Sequence, residues 1–297
     1  MRLVASDTCI AVLGAGTMGR PMARNIARAG FAVRAWNRTA EKAVPLESDG
    51  VEVCRSPAQA AEGADVLLTM LADADAVIDA VEDALSSLPE GATWLQMSTI
   101  GEVGTERCAE LAAAHGLVFL DAPVLGTKQP AEEGTLVVLA SGPDGTAEQV
   151  GPIFDAVGQK TMWLGKAGNG TRLKLVVNGW VLTVVEGGAE AIALAEGLGL
   201  DPGLLLEAIE GGALDLPYLR MKAKAIAERD FEPMFRLTLA AKDARLIEEA
   251  AQRHDIDVPL FSTIRRRMAE GAKDHGDEDM SATYWTSAPG RDDGAKA

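Results

Sequence analysis

The sequence predicts an α/β protein: a doubly wound parallel sheet followed by an all-helical C-terminal domain. Three features lead there. Short β-branched and apolar runs alternate with helix-period segments through the first half of the chain. A glycine-rich turn joins the first run to the first helical segment. Residues 169 to 196 then continue without a proline or a strand-like break.

The elements follow in order. Cys9 to Leu13 is an apolar run of buried-strand type, and Met18, Met22, Ile26 and Ala29 recur at helical spacing until Gly30 stops them. Further strands are expected at Phe31–Trp36, Asp65–Met70, Thr93–Met97, Leu117–Leu120, Leu136–Ser141 and Met162–Leu164, with helical stretches between most of them. The segment from Asn169 to about Glu196 would form a helix ~40 Å long, too long for a crossover within the sheet. It reads as the connection that opens a second domain. There, Asp201-Pro202 signals an N-cap with proline behind it, and Gly211-Gly212 a stop. Pro217–Arg229, Leu237–His254 and Val258–Lys273 are read as further helices. The expected division is a dinucleotide-binding domain over 1–167, a helical domain over 168–286 and a disordered tail over 287–297.

Composition narrows the partners. Hydrophobic residues make up 47% and charged residues 24%, and 28 Lys plus Arg face 44 Asp plus Glu for a formal charge of −16. Nucleic acid and anionic membrane surfaces both demand a cationic footprint, so neither is expected. Cys9, Cys54 and Cys108 lie far apart without a CxxC pattern, which argues against a disulfide framework or a zinc site, and no metal is expected. The polar Ser6, Asp7 and Thr8 precede the first strand where a signal peptide would carry its apolar region, and no run reaches the ~20 apolar residues of a membrane span. A cytoplasmic location is expected.

Gly14-Ala15-Gly16-Thr17-Met18-Gly19 is G-x-G-x-x-G, placed between an apolar strand and an amphipathic helix. Gly14 permits the tight turn, Gly16 lets the backbone reach a pyrophosphate and Gly19 lets the helix pack close, while Thr17 and Met18 stand at a helix N-terminus whose amides suit phosphate. This is the Rossmann arrangement for a dinucleotide. The end of the second strand reads Trp36-Asn37-Arg38-Thr39, with no carboxylate until Glu41. An acid there would accept from a ribose 2′-hydroxyl; a guanidinium and two small polar side chains suit a 2′-phosphate instead. NADP(H) is expected over NAD(H).

Lys174 and Asn178 lie four residues apart on the long helix and so share a face, among Leu173, Val176, Val177, Val181 and Leu182. Carbonyl reduction leaves an alkoxide that needs a proton donor. His115, His254 and His275 sit at helix ends or in the tail, which leaves Lys174 as the best candidate with Asn178 beside it. Spacing alone is equally consistent with a surface lysine.

Several ordered stretches carry a family resemblance: GAGTMGRPMARNIARAG followed by WNRT, then STI at Ser98, DAPVLGTKQPAEEGTL from Asp121, GKAGNGTRLKLVVN from Gly165 and KD at Lys242. From Ile10 to about Ala282 the chain resembles the β-hydroxyacid dehydrogenases, among them 3-hydroxyisobutyrate dehydrogenases and glyoxylate or succinic semialdehyde reductases. The resemblance implies Lys174 as the catalytic lysine and Asn178 as its partner. It implies Thr99 and Lys242 near the nicotinamide, and Met70 and Leu71 as backbone neighbours of the cofactor ribose. Ser98, Gly126 and Thr127 would hold a substrate carboxylate, Asp243 would line the site, and Phe235 would cover the substrate. The chain departs from the family at Leu125, where the usual Ser-Gly-Gly becomes Leu-Gly-Thr and a hydroxyl is lost; Thr127 stands as its replacement. Lys128-Gln129-Pro130-Ala131-Glu132 looks closer to the glyoxylate and succinic semialdehyde reductases.

The expectation is NADPH-dependent reduction of a small aldehyde acid to its hydroxy acid, with Lys174 as proton donor. The alternatives are a 3-hydroxyisobutyrate-like dehydrogenase, an imine reductase (against which Lys174 argues) and a dinucleotide-binding scaffold without turnover. A homodimer or higher homo-oligomer is expected through the long helix, with Val177, Val181, Val184 and Val185 as candidate contacts or, equally, as intradomain core.

Overall fold

The computed structural model describes residues 8–288; the part of the expected tail from 289 onward lies outside them. The chain divides into two compact units, Met1–Lys174 and Leu175–Ala297.

The first unit contains β1 (Cys9–Leu13), α1 (Gly19–Arg28), β2 (Ala32–Trp36), β3 (Glu52–Val53), α2 (Pro57–Ala61), β4 (Val66–Thr69), α3 (Ala74–Ala84), β5 (Thr93–Gln96), α4 (Gly101–Ala114) and β6 (Val118–Asp121). It continues with β7 (Val124–Leu125), α5 (Lys128–Glu133), β8 (Leu136–Ala140), α6 (Ala147–Val157), β9 (Gly158–Trp163) and the start of α7 (Asn169–Gly197). Six strands form one sheet in the order β3-β2-β1-β4-β5-β6, parallel throughout. The order reverses direction between β1 and β4, where a crevice opens at the carboxyl ends of the strands.

Period-two alternation fills both faces of this sheet. Ile10, Val12, Leu68 and Leu95 meet Met22 and Ile26 on one side. Ala11, Leu13, Leu67 and Trp94 meet Val77, Val81 and Cys108 on the other. With both faces covered, the strands read as unbroken apolar runs. Each large side chain fully buried this way contributes about 1.5–3 kcal/mol.

The structure departs from the sequence expectation in two places here. β3 and β7 were not anticipated, and β7, β8 and β9 form a separate three-stranded sheet in which β7 and β8 are antiparallel. A bridge between Asp121 and Ser141 links the end of β6 to the end of β8.

The second unit comprises the rest of α7, α8 (Gly203–Ala208), α9 (Pro217–Glu228), α10 (Leu237–Arg253), α11 (Pro259–His275) and a 3-10 helix over Met280–Thr286. Proline opens α9 and α11 at the first helical position, where a missing amide costs no bond. The helix expected from Asp201 to Gly211 shrinks to α8, with Asp201 accepting from the amide of Gly203 at 2.8 Å. The core of this unit gathers Leu182, Val185, Ala189 and Ile192 of α7 with Ile226, Leu237, Ile264, Met268 and Tyr284. By length and composition α7 could cross a membrane. Its inward face, however, belongs to this core and includes the buried Glu186, which accepts from Arg267 and, at 2.6 Å, from Thr283. Val185 lies in that core as well, so it is not a surface contact.

Candidate active site

Where β1 ends, Gly14 turns with φ 108° and donates its amide to Trp36 O at 2.8 Å. A Cβ on Gly14 would overlap the carbonyl oxygen of Met70, and one on Gly19 the carbonyl oxygen of Gly14, so the crossing of turn, helix and β4 demands glycine at both positions. At Gly16 a Cβ would meet nothing, which leaves open space above the loop. Thr17 is exposed and Met18 is half-buried at the N-cap of α1. No side chain caps that helix and no acid stands in its first turn, so its amides suit a phosphate. The loop fits a dinucleotide pyrophosphate. Beyond β2, Asn37 donates to Thr39 O at 2.8 Å and rounds off the turn, with Arg38 and Thr39 exposed.

Met70 and Leu71 follow β4, and Ser98 and Thr99 follow β5, so all four stand at the carboxyl edge beside the glycine loop. Ser98, expected to hold a substrate carboxylate, spends its hydroxyl on neighbouring backbone in this structure. Ser98 is fully buried; its hydroxyl accepts from Leu71 N at 2.9 Å and donates to Thr69 O at 3.3 Å. It shapes the loop that carries Leu71. Gln96 holds the same turn, accepting from Ser98 N and donating to Ser98 O, both at 2.8 Å. Thr99 remains half-buried beside it.

After β6 the chain forms the short β7 and then Gly126 with φ 125°, exposed, and Thr127 at the N-cap of α5. Lys174, on the second turn of α7 and half-buried, donates Nζ to Val124 O at 2.7 Å. That bond fixes the ammonium to the strand preceding the Gly126–Thr127 loop.

In the second unit Asn178 is buried and donates Nδ2 to Asp243 Oδ2 at 2.6 Å, while Lys242 Nζ lies 2.9 Å from Asp243 Oδ1. Asp243, expected to line the site, is 2% exposed with an oxygen toward each neighbour, and it orients Asn178. Phe235 is half-buried on the loop before α10, packed against the core of this unit. The histidines stand apart: His115 and His254 at the C-caps of α4 and α10, His275 stacked on Trp285. Among the described residues no group of three His, Cys, Asp or Glu side chains could hold a metal ion.

The sequence reading missed a buried polar cluster at the start of α7. Asp121, fully enclosed at the end of β6, accepts from Thr171 N and Thr171 Oγ1, each at 2.7 Å, and from Ser141 Oγ at 3.2 Å. Burial pushes its carboxyl above the usual value, and hydrogen bonds from Thr171 and Ser141 oppose that rise. The only local signal was an acid closing an apolar strand.

Residues 9–165 match the family described as the NAD binding domain of 6-phosphogluconate dehydrogenase. Residues 168–286 match the family described as NAD-binding of NADP-dependent 3-hydroxyisobutyrate dehydrogenase. The chain is 34% identical over 278 residues to glyoxylate/succinic semialdehyde reductase 2, chloroplastic, of Arabidopsis thaliana, covering 92% of this chain and 77% of that protein. It is 31% identical over 277 residues to glyoxylate/succinic semialdehyde reductase 1 of the same plant, covering 92% and 96%. Among solved structures, the Mycobacterium tuberculosis 3-hydroxyisobutyrate dehydrogenase with L-serine superposes with a TM-score of 0.85 at 32% identity, covering 94% of this chain and 98% of that one.

Proposed function

The chain belongs to the β-hydroxyacid dehydrogenase family, and on that premise we propose that it uses NADPH to reduce a small aldehyde acid, of the glyoxylate or succinic semialdehyde type, to its hydroxy acid. The chain is an NAD(P)-dependent oxidoreductase acting on CH–OH or carbonyl groups. The reduction of an aldehyde acid is supported by the Lys174 ammonium, fastened at 2.7 Å to Val124 O beside the Gly126–Thr127 loop.

When bound, the nicotinamide supplies a hydride equivalent to the carbonyl carbon. The positive charge on Lys174 Nζ lowers the energy of the negative charge developing on the carbonyl oxygen, and the ammonium then donates a proton to that oxygen and is left as a neutral amine. Asn178, held by Asp243 at 2.6 Å, stands one helical turn further along α7 and orients the reacting groups. The Gly126–Thr127 loop holds the substrate carboxylate. Leu125, half-buried where the family commonly has a hydroxyl, makes this loop less polar.

Two features support NADPH. Arg38 is exposed beyond β2 with no acid between it and the strand, and the helical unit matches a family described as NADP-dependent. NADPH and NADH consumption should be followed side by side with glyoxylate and succinic semialdehyde. Arg38→Glu is expected to raise KM for NADPH by about 10–100-fold, since one charge-assisted phosphate contact is worth ~1.5–3 kcal/mol, and to leave KM for NADH within about three-fold. Equal use of both cofactors by the unaltered enzyme would overturn the NADPH assignment. A second reading, oxidation of a 3-hydroxy acid, is favoured by the likeness to the structure that holds L-serine. Turnover of 3-hydroxyisobutyrate with NADP+ and none with aldehyde acids would establish it. Activity confined to cyclic imines would favour imine reduction.

The same premise extends to self-association. Val176, Trp180, Leu194 and Leu198 are 68%, 62%, 63% and 67% exposed. At 100° per residue these positions fall on one face of α7 and its end, so a second copy is the proposed cover. Trp180→Glu is expected to shift the sedimentation coefficient from oligomer to monomer. A chain that sediments as a monomer without the substitution rules the interface out.

A further inference from the structure

The chain segment between β6 and β7 grips α7 twice, three residues apart on each side. Asp121 takes the amide and hydroxyl of Thr171 at 2.7 Å each, and Val124 O takes Lys174 Nζ at 2.7 Å. Since Thr171 Oγ1 donates to Asp121, the 2.9 Å contact with Thr105 Oγ1 leaves Thr105 as donor to it. Ser141 Oγ accepts from Gly170 N at 3.0 Å, and Asn169 Nδ2 donates to Leu164 O at 2.7 Å. A Cβ on Gly170 would overlap Leu139 O, so α7 approaches this cluster as closely as backbone allows. The first turn of the helix is thereby fixed in register: sliding it by one residue, ~1.5 Å, or rotating it by ~100° would break every one of these bonds.

We propose that Asp121 is a positioning residue for the reaction: by capping the first turn of α7 from the end of β6, it sets where the Lys174 ammonium stands against the substrate loop. This rests on the reading of Lys174 as proton donor. Asp121 itself is fully buried. Three donors converge on its two oxygens, and the NH2 of asparagine at Oδ1 would turn Thr171 Oγ1 from donor to acceptor and reverse its bond with Thr105.

The test is a double-mutant cycle of Asp121→Asn with Lys174→Ala, read by steady-state and single-turnover NADPH oxidation with the aldehyde acid. Asp121→Asn is expected to lower kcat by about 30–100-fold, because a displacement of about 1 Å costs on that order. KM for the aldehyde acid and the NADPH dissociation constant should stay within about three-fold. In the Lys174→Ala background the same change should cost no more than about two-fold, since the group it positions is gone. Equal losses in both backgrounds, or an unchanged kcat for Asp121→Asn, would overturn the proposal. Near-normal kcat for Lys174→Ala alone is a different result, and it overturns the proton-donor reading instead. If Asp121→Asn does not fold, Thr171→Val removes one hydroxyl partner while leaving the Asp121 carboxyl in place. The same pattern is expected of it with a loss of about 10-fold, and equal losses in both backgrounds would again overturn the proposal.

Discussion

Lys174→Ala is expected to lower kcat by about three orders of magnitude while NADPH binding stays within about three-fold. A positioned general acid contributes about 10²–10⁴-fold, and the glycine loop that would hold the pyrophosphate carries none of its contacts through Lys174. Within the first unit the one histidine, His115, stands at the C-cap of α4 and not at the carboxyl edge of the sheet. Lys174→Arg separates the two roles of the ammonium. A guanidinium keeps the positive charge but does not release a proton at working pH, so it should recover part of the loss and flatten the alkaline limb of the pH–kcat profile. Full recovery by arginine would mean that fixed charge alone supports turnover. A kcat for Lys174→Ala within ten-fold of the unaltered enzyme would remove Lys174 from the chemistry. Kinetics across pH, paired with NADPH fluorescence titration, distinguish these outcomes.

Legibility in the sequence followed the range of the interaction. The glycine loop was readable because its parts are contiguous: strand, turn and helix succeed one another from Cys9 to Arg28, and the demand for glycine at Gly19 arises from Gly14, whereas that at Gly14 arises from Met70 after β4. Long α7 was readable for the same reason. The two-residue strands β3 and β7 were too short to show a period. The assignment of β8 and β9 to a second sheet is decided by partners rather than by local pattern. Side-chain partners were illegible where they are remote in sequence. The Ser98 hydroxyl serves Leu71 and Thr69. The Asp243 carboxylate serves Asn178 and Lys242. Asp121 drew no role at all, although its partner Thr171 lies inside a segment already singled out. The faces of α7 were ambiguous because apolar residues surround it: Val185 turned inward, while Val176 and Trp180 face out.

The largest stability effect is expected in the second unit, from the Lys222–Asp279 pair. Both side chains are almost wholly buried, at 2% and 3% exposure, with Nζ 2.7 Å from Oδ1. The same carboxylate accepts from Ser281 N at 3.0 Å and Ser281 Oγ at 2.8 Å, and its other oxygen from Met234 N and Phe235 N at 3.1 Å each. One side chain thus ties α9, the Phe235 loop and the C-terminal 3-10 helix together. Asp279→Ala strands a buried ammonium and several amides, which should cost about 3–5 kcal/mol and speed hydrogen exchange across residues 217–240. The pH dependence has a definite sign. Burial is the strongest single influence and raises the Asp279 carboxyl, but the Lys222 charge and hydrogen bond, with those of Ser281, together hold it below the usual value. A depressed carboxyl stabilises the fold above its unfolded pKa of about 3.9 and loses that contribution as pH falls through the lower folded value. Urea unfolding of the unaltered chain should therefore lose this term only below about pH 4. Lys222→Met removes the charge that depresses Asp279 and leaves burial in command, so its carboxyl should rise above the usual value. The Asp279 contribution then changes sign: the variant should lose stability as pH rises from about 4 toward the new folded value. The pH profile of the difference between Lys222→Met and the unaltered chain reads that term against the background of all other carboxylates. A difference that stays level from pH 3.5 to 7 would show that Lys222 does not hold Asp279 ionised. The Phe235 loop would then owe its placement to the amide hydrogen bonds alone.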